Sequence, residues 1–451
     1  MKIIKDLCKI LDCNGAKLLY NGFDNTLSEF DSLIQDSLND VCGIFSKEYF
    51  TEVYCEYDIE SIRQKSNNRL DHVIINLTEN CNMRCKYCGY YDMRYVNSNP
   101  HKNIDKITLK MALDFIVTHS IDSYETTVSF YGGEPLLHFD LIKFAVKYLE
   151  DKNYRGHKYN YRLTTNGTLL DLEVADYFAT KDIMCVISLD GPVFIHDRYR
   201  IYEWDNPTYY DVIRNIKRVA KKYPAYYRKN ISFNVVISPP YHNPSILKKF
   251  FEKSEARFIN VSIGDHFRKM LKDEHGLELN GFEFNGKSES IHLLNGDMSL
   301  NELMENIKHI SSLKKYMHIG EKDIRNSIFP SGFCIPLEKR IYIGANGTIA
   351  LCERIDENNP LFQFGDVFSG YDFDKISLLY NHTKNILAEN CNKCWAFRFC
   401  RACYTSLDQI EYNGDFCKFI RNEVELELID FLEFKHNHKR YNEIMQSVSI
   451  D

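Results

Sequence analysis

The chain lacks the features that would place it in a membrane, on a nucleic acid or outside the cell. No apolar run in its 451 residues approaches the roughly 20 residues of a membrane span. The N-terminus, Met1-Lys-Ile-Ile-Lys-Asp-Leu-Cys-Lys9, has no signal-peptide core. Positive charge is not in excess: 56 Lys and Arg face 63 Asp and Glu, a net charge of −7. That leaves no general electrostatic case for nucleic acid. Low-complexity tracts and short repeats of fixed period are also missing, so nothing points to a repeat array. A cytoplasmic protein is expected, with no membrane and no nucleic-acid partner. At this length about two or three domains are expected.

What the chain does have is cysteine, 15 residues of it. In a reducing compartment that number suggests metal binding or catalysis rather than disulfides. Cys8, Cys13, Cys42 and Cys55 show no cluster spacing. Cys81-Asn-Met-Arg-Cys85-Lys-Tyr-Cys88 does, directly after the strand-like run Val73–Leu77. Three neighbouring thiolates suit an iron–sulfur cluster, and three ligands on a 4Fe–4S cube leave one iron open. A zinc site or three core thiols would explain the spacing alone as well. A second group follows: Cys334, Cys352, Cys391, Cys394, Cys400, Cys403 and Cys417. Its two C-x2-C pairs alone could be a zinc ribbon.

Between the two groups the pattern alternates. Strands are expected at His72–Thr78, Thr126–Phe130, Tyr159–Thr164, Ile183–Leu189, Ile231–Ile237 and Phe258–Ile263. Helices are expected at Leu109–His119, Asp140–Leu149, Leu172–Ala179, Tyr209–Ala220 and Pro244–Glu252. Such alternation predicts an α/β fold of parallel βαβ units, with its site at the carboxyl ends of the strands. The residues there are informative. Tyr131-Gly132-Gly133-Glu134-Pro135 follows the second strand, Thr165-Asn-Gly-Thr168 the third, and Ser188-Leu-Asp190-Gly-Pro the fourth. His196-Asp-Arg-Tyr-Arg200 comes soon after. A glycine pair lets backbone approach a ligand, and Glu134 can accept from an ammonium. Singly, each motif is equally a polar turn or a solvated charge.

Together, the first cysteine group and these strand-end motifs resemble the radical S-adenosylmethionine (SAM) superfamily. The resemblance implies a partial (β/α)6 barrel whose Cys81, Cys85 and Cys88 hold a 4Fe–4S cluster with SAM on the open iron. It implies that Gly132, Gly133 and Glu134 meet the SAM amino group, Ser188 and Asp190 the ribose, and Arg200 the carboxylate. Tyr87 would lie beside the adenine, and Asn234 would be a further polar group near SAM. The seven later cysteines resemble the SPASM extension, which implies two auxiliary clusters and three 4Fe–4S clusters in all. By that pattern Cys391, Cys394, Cys400 and Cys417 hold the cluster farther from SAM. Cys334, Cys352 and Cys403 hold the nearer one, again with an open iron, which a substrate thiolate could fill; Cys185, water or another group are alternatives. The gap between Cys400 and Cys403 is two residues where three is commoner in that family. Glu353 stands where sulfatase-maturing relatives carry an acidic base, though a surface glutamate reads the same.

The resulting division is 1–70, a winged-helix-like unit resembling leader-peptide-recognition domains; 71–265, the barrel; 266–329, a bridge with a helix at Asn301–Tyr316; 330–425, SPASM; and 426–451, a tail. In the first segment Lys17–Tyr20 and Thr26–Phe30 read as strands and Ser32–Leu38 as a helix, and a packing cap fits as well as a leader grip. The Trp395–Phe399 stretch is expected to cover a cluster and Phe419–Phe434 to form a helix. The resemblance implies an enzyme that cleaves SAM reductively to a 5′-deoxyadenosyl radical. Its closest likeness is to thioether-forming (sactisynthase-like) maturases of ribosomal peptides, with a leader-bearing precursor peptide and a flavodoxin- or ferredoxin-type electron donor as partners. Anaerobic sulfatase maturases, which make formylglycine, and carbon–carbon crosslinking maturases are alternatives. A non-catalytic metal-binding scaffold is the alternative from another class.

Overall fold

In the computed structural model, residues 8–29, 58–88, 102–237, 250–251, 257–263 and 330–437 are described, apart from short gaps. The helices expected at 32–38 and 301–316, most of that at 244–252, and the bridge at 266–329 lie outside the described residues. In chain order the elements are β1 (Cys8–Cys13), β2 (Ala16–Asn21), β3 (Thr26–Glu29), α1 (Ile59–Asn68), β4 (His72–Thr78), α2 (Lys106–His119), β5 (Glu125–Gly132), α3 (Phe139–Asp151), β6 (Lys158–Thr165), α4 (Leu172–Thr180), β7 (Met184–Ser188) and α5 (Val193–Tyr199). There follow α6 (Tyr209–Lys222), α7 (Pro224–Asn230), β8 (Ile231–Ile237), β9 (Arg257–Ile263), β10 (Arg340–Ile343), β11 (Thr348–Ala350), β12 (Gln363–Asp366), β13 (Gly370–Tyr371), α8 (Asp374–Asn390), α9 (Leu407–Tyr412) and α10 (Gly414–Asn437).

Contacts divide the chain into two compact units, and the division does not follow the chain order. One unit holds 1–57, 280–335 and 377–451; the other holds 58–279 and 336–376. Helix α1, expected with the N-terminal segment, belongs to the second unit, where Ser66 Oγ donates to the Leu337 carbonyl at 3.0 Å.

The second unit is built on a ten-stranded mixed sheet ordered β13-β12-β11-β10-β4-β5-β6-β7-β8-β9. Strands β4 to β9 are the six expected from the sequence, all parallel. Strand β10 continues the parallel run beside β4, and β11 to β13 then fold back antiparallel. Residues expected in the cysteine-rich C-terminal part thus complete the barrel sheet. Side chains alternate along each strand. One face carries Val73, Ile75, Leu77, Val128, Phe130, Leu163, Cys185 and Phe233, none more than 1% exposed; Cys185 is thus a core residue. The other, inner face is polar, with Asn76, Ser129, Tyr131, Arg162, Ser188, Ser232 and Asn234 at matching register positions.

In the first unit β1, β2 and β3 form an antiparallel meander. Its buried face, Leu11 and Tyr20, joins Trp395, Ala396, Phe399, Val424, Leu428, Phe431 and Leu432 in one core. The last four recur at helical spacing along α10. Approach is close at Gly22: an added Cβ would fall 2.4 Å from the Trp395 carbonyl oxygen, and Arg398 Nε donates to the Gly22 carbonyl at 2.7 Å. Lys9 pairs with Glu425 at 2.5 Å. Among the described residues no helix is long and apolar enough to cross a membrane.

Candidate active site

The loop after β4 carries Cys81, Cys85 and Cys88, and every neighbouring strand end is tied to it. Gly133 N donates to the Thr78 carbonyl (2.7 Å) and Glu134 N to the Asn80 carbonyl (2.9 Å). The glycine pair makes this possible. A Cβ on Gly132, whose φ is +134°, would fall 2.1 Å from the Thr78 oxygen, and one on Gly133 2.2 Å from the Asn80 oxygen. On the far side Arg84 N donates to the Ile201 carbonyl (2.7 Å) and Lys86 N to the Tyr199 carbonyl (2.9 Å).

Glu134 is fully buried and turned inward. Its carboxylate accepts from Leu136 N (3.0 Å), Thr165 Oγ1 (2.8 Å) and Asn166 N (2.7 Å). Burial nevertheless pushes it up to about 7. Asn166 in turn donates to Cys81 Sγ at 3.6 Å and to Asn82 Oδ1 at 2.9 Å, and Met83 N donates to Cys81 Sγ at 3.3 Å. So the turn after β6 orients the first thiol. Burial, then the Glu134 charge, pushes Cys81 up to about 12; burial pushes Cys85 up to about 11, against the pull of Arg200. The Cys81 sulfur feels Cys85 and Cys88, which puts the three thiols in one electrostatic neighbourhood.

Beside them lies a buried triad. Tyr87 OH donates to Asp190 Oδ2 at 2.5 Å, and Arg200 Nη1 donates to Tyr87 OH at 3.0 Å. Asp190 Oδ1 accepts from Val236 N at 3.1 Å. Burial raises the pKa of both Tyr87 and Asp190, so Tyr87 keeps its proton. Arg200 Nε is buried without a hydrogen-bond partner, 4.0 Å from Asp190 Oδ2. The supports of the triad are His196 and Asp197, whose roles the sequence did not disclose. Asp190 N donates to His196 Nδ1 (3.3 Å), which places the ring proton on Nε2, 3.1 Å from Thr208 Oγ1. Thr208 Oγ1 donates to the Arg200 carbonyl at 2.7 Å, and Asp197 Oδ1 accepts from Thr208 N and Tyr209 N. Ser188 and Asn234 stand opposite each other on β7 and β8.

Glu353, just past β11, is mostly buried. Its Oε2 has no hydrogen bond, and Arg340 and Arg354 stand 3.8 Å away. Tyr131 is pushed up to about 12 by burial, then by the charges of Glu353, Cys88 and Cys352.

In the first unit Cys391, Cys394, Cys400 and Cys417 converge. Burial raises Cys391, and the other three thiols raise it further; Cys400 is pushed up to about 12 by burial. Cys394 N donates to the Cys391 carbonyl at 3.1 Å, closing a turn over the pair. The segment before Cys334 lies against that after Cys400: Gly332 N donates to the Cys400 carbonyl at 2.9 Å, and Phe333 meets Tyr404 edge-on at 4.9 Å. Cys403 Sγ is 3.1 Å from Thr405 Oγ1. Cys352 belongs to the second unit.

Residues 75–239 match the radical SAM superfamily. The chain carries a radical SAM domain. An uncharacterized protein of Methanocaldococcus jannaschii is 32% identical over 206 residues, 46% of this chain and 65% of its own length. The cysteine-type anaerobic sulfatase-maturating enzyme of Clostridium novyi is 32% identical over 193 residues, 42% of this chain and 50% of its own. A radical SAM cyclopropyl synthase of Paramaledivibacter caminithermalis is 24% identical over 231 residues, 47% of this chain and 46% of its own. The chain thus spans less than two thirds of the curated relatives it matches. Among solved structures, native anSMEcpe with bound AdoMet aligns with a TM-score of 0.58 at 18% identity, over 84% of this chain and all of that one. The fold is therefore the α/β radical SAM fold, its sheet mixed as described.

A radical SAM domain implies a 4Fe–4S cluster and SAM, and the residues fit both. Among the described residues no three Cys, His, Asp or Glu side chains close around a single ion. The two N–H donors on the Cys81 sulfur are of the kind that tune cluster potentials. The unpartnered Arg200 Nε beside Asp190 offers one donor and one acceptor to a ligand bearing both a carboxylate and hydroxyls.

Proposed function

We propose that the protein is a radical SAM peptide maturase that joins a cysteine sulfur to a carbon of a ribosomally made precursor peptide. The observation that carries this reading is the presence of two separate thiol groups, one among SAM-type motifs and one in its own apolar core. When bound, the reduced cluster and SAM supply a carbon radical that removes hydrogen from a substrate carbon. The chain's residues do the rest. Cys81, Cys85 and Cys88 hold that cluster, and Tyr87, Gly132, Gly133, Glu134, Ser188, Asp190, Arg200 and Asn234 orient SAM. Cys391, Cys394, Cys400 and Cys417 hold a second cluster; Cys334, Cys352 and Cys403 hold a third with an open position for the substrate sulfur. Glu353 Oε2, buried and without a hydrogen bond, takes the thiol proton. The β1–β3 sheet is the candidate leader grip, and a small flavodoxin or ferredoxin brings the electron.

A second reading, sulfatase maturation with formation of formylglycine, has its own support: the Clostridium novyi relative above is an anaerobic sulfatase-maturating enzyme. The two readings separate by mass and thiol count. Anaerobic reconstitution should give about twelve irons per chain. A cysteine-containing precursor encoded beside this chain should then lose two hydrogens and one titratable thiol per link. Loss of sulfur with gain of an aldehyde would replace the first reading by the second.

A further inference from the structure

Resting on the peptide-maturase reading, we propose that Arg162 holds a carboxylate of the bound peptide inside the barrel, so that the segment presented for modification is acidic. Arg162 stands on β6 opposite Ser129 of β5 and Met184 of β7. That register puts it on the inner face, one alternation below Tyr131, whose hydroxyl feels the charges of Glu353 and Cys88. The guanidinium is half-buried. Among the described residues it makes no hydrogen bond, and its charged neighbours are Glu353 and His72.

A half-buried guanidinium whose donors meet no protein acceptor can exchange its water for an acceptor on a ligand. Glu353 does not accept from it: it makes no hydrogen bond at Oε2, and its nearest cations, Arg340 and Arg354, are at 3.8 Å, too long for one. The local charge is also unbalanced. Arg162, Arg340 and Arg354 are three cations against the one anion Glu353, with His72 held neutral by burial. A planar fork on the inner face of the sheet, with surplus positive charge beside it, is suited to a second carboxylate, which it can bind through two parallel hydrogen bonds. In a peptide that group is an acidic side chain or the chain terminus.

The test uses the full chain, reconstituted anaerobically with iron and sulfide in the presence of SAM. Three fluorescein-labelled probes are compared by anisotropy at low salt: Cys-Gly-Glu-Gly amide, Cys-Gly-Gln-Gly amide, and Cys-Gly-Gln-Gly with a free terminus. The glutamate amide or the free-terminus peptide should bind about tenfold tighter than the neutral one. Which of the two does so identifies the source of the carboxylate. Arg162→Gln should erase the preference, and Arg162→Lys should keep part of it. Arg162→Glu should turn it toward Cys-Gly-Lys-Gly amide, a reversal that general unfolding cannot produce. Equal binding of all probes by the wild type, or an undiminished preference in Arg162→Gln, overturns the proposal and leaves the peptide reading intact. No binding of any probe removes both.

Discussion

The two thiol groups are held by opposite means. Cys81, Cys85 and Cys88 sit in a loop fixed by hydrogen bonds from β5, β6 and the segment after α5, among a buried carboxylate, an arginine and two asparagines. Cys391, Cys394, Cys400 and Cys417 sit beside a core of Leu11, Tyr20, Trp395, Phe399 and the apolar stripe of α10. A site that must take a charged ligand keeps directional polar groups around its sulfurs. A site that only stores or passes electrons does better dry, because exposure to solvent shifts potentials.

Replacing Cys81, Cys85 and Cys88 by Ala should give the largest effect. Reductive SAM cleavage should vanish while iron falls by about one third, four of roughly twelve. A loss of all iron would show that the two groups are not independent. Trp395→Ala should cost about 3–5 kcal/mol and act on the other group, since Trp395 shares one core with Leu11, Tyr20 and the apolar residues of α10. Chemical denaturation should register it, with iron lost selectively from that region by Mössbauer spectroscopy. An unchanged midpoint would remove the apolar half of the contrast.

The next effect is one of pH. His72 is lowered from 6.5 to about 4, chiefly by burial. The folded state therefore resists a proton that the unfolded chain accepts. The stabilisation is complete above pH 6.5 and fades as the pH falls toward 4, by up to about 3 kcal/mol. Melting of the wild type against His72→Gln over that window reads it; parallel curves would refute it. Smallest is Glu134→Gln, about 1–3 kcal/mol, because the new amide must face one of three donors. Thermal melting should show a lowered midpoint, and a rise would mean that Glu134 is held protonated.

The parallel strands were legible because each is a short apolar run and the first four are followed by a motif, and His72–Thr78 and Ile231–Ile237 appear with the expected bounds. Strand β1 is not among the expected strands although Asn14-Gly15 is a strong hairpin signal in the sequence; it pairs antiparallel with β2, Cys13 opposite Ala16. Strands β10 to β13 are only two to four residues long, and Cys334 and Cys352 near them drew the whole stretch into the C-terminal part. The thiols and strand-end motifs were readable from spacing. The supporting work of His196, Asp197 and Thr208 was not, because a hydrogen-bonded relay across 12 residues leaves no periodic mark. Nor does any local pattern disclose that Arg398 serves Gly22, 376 residues away.

That last contact has a consequence for how the protein is made. The meander is synthesised well before the surfaces that bury Leu11 and Tyr20, which lie more than 360 residues further along the chain. At about 5–20 residues per second, the interval from one to the other is on the order of tens of seconds. During that time the early strands have no native partner, and closure then spans most of the chain, a slow event for topology of this kind. The four thiols beside that core therefore stay open until α10 has been synthesised. A cluster bound there would have to be inserted in that window, which folding alone closes.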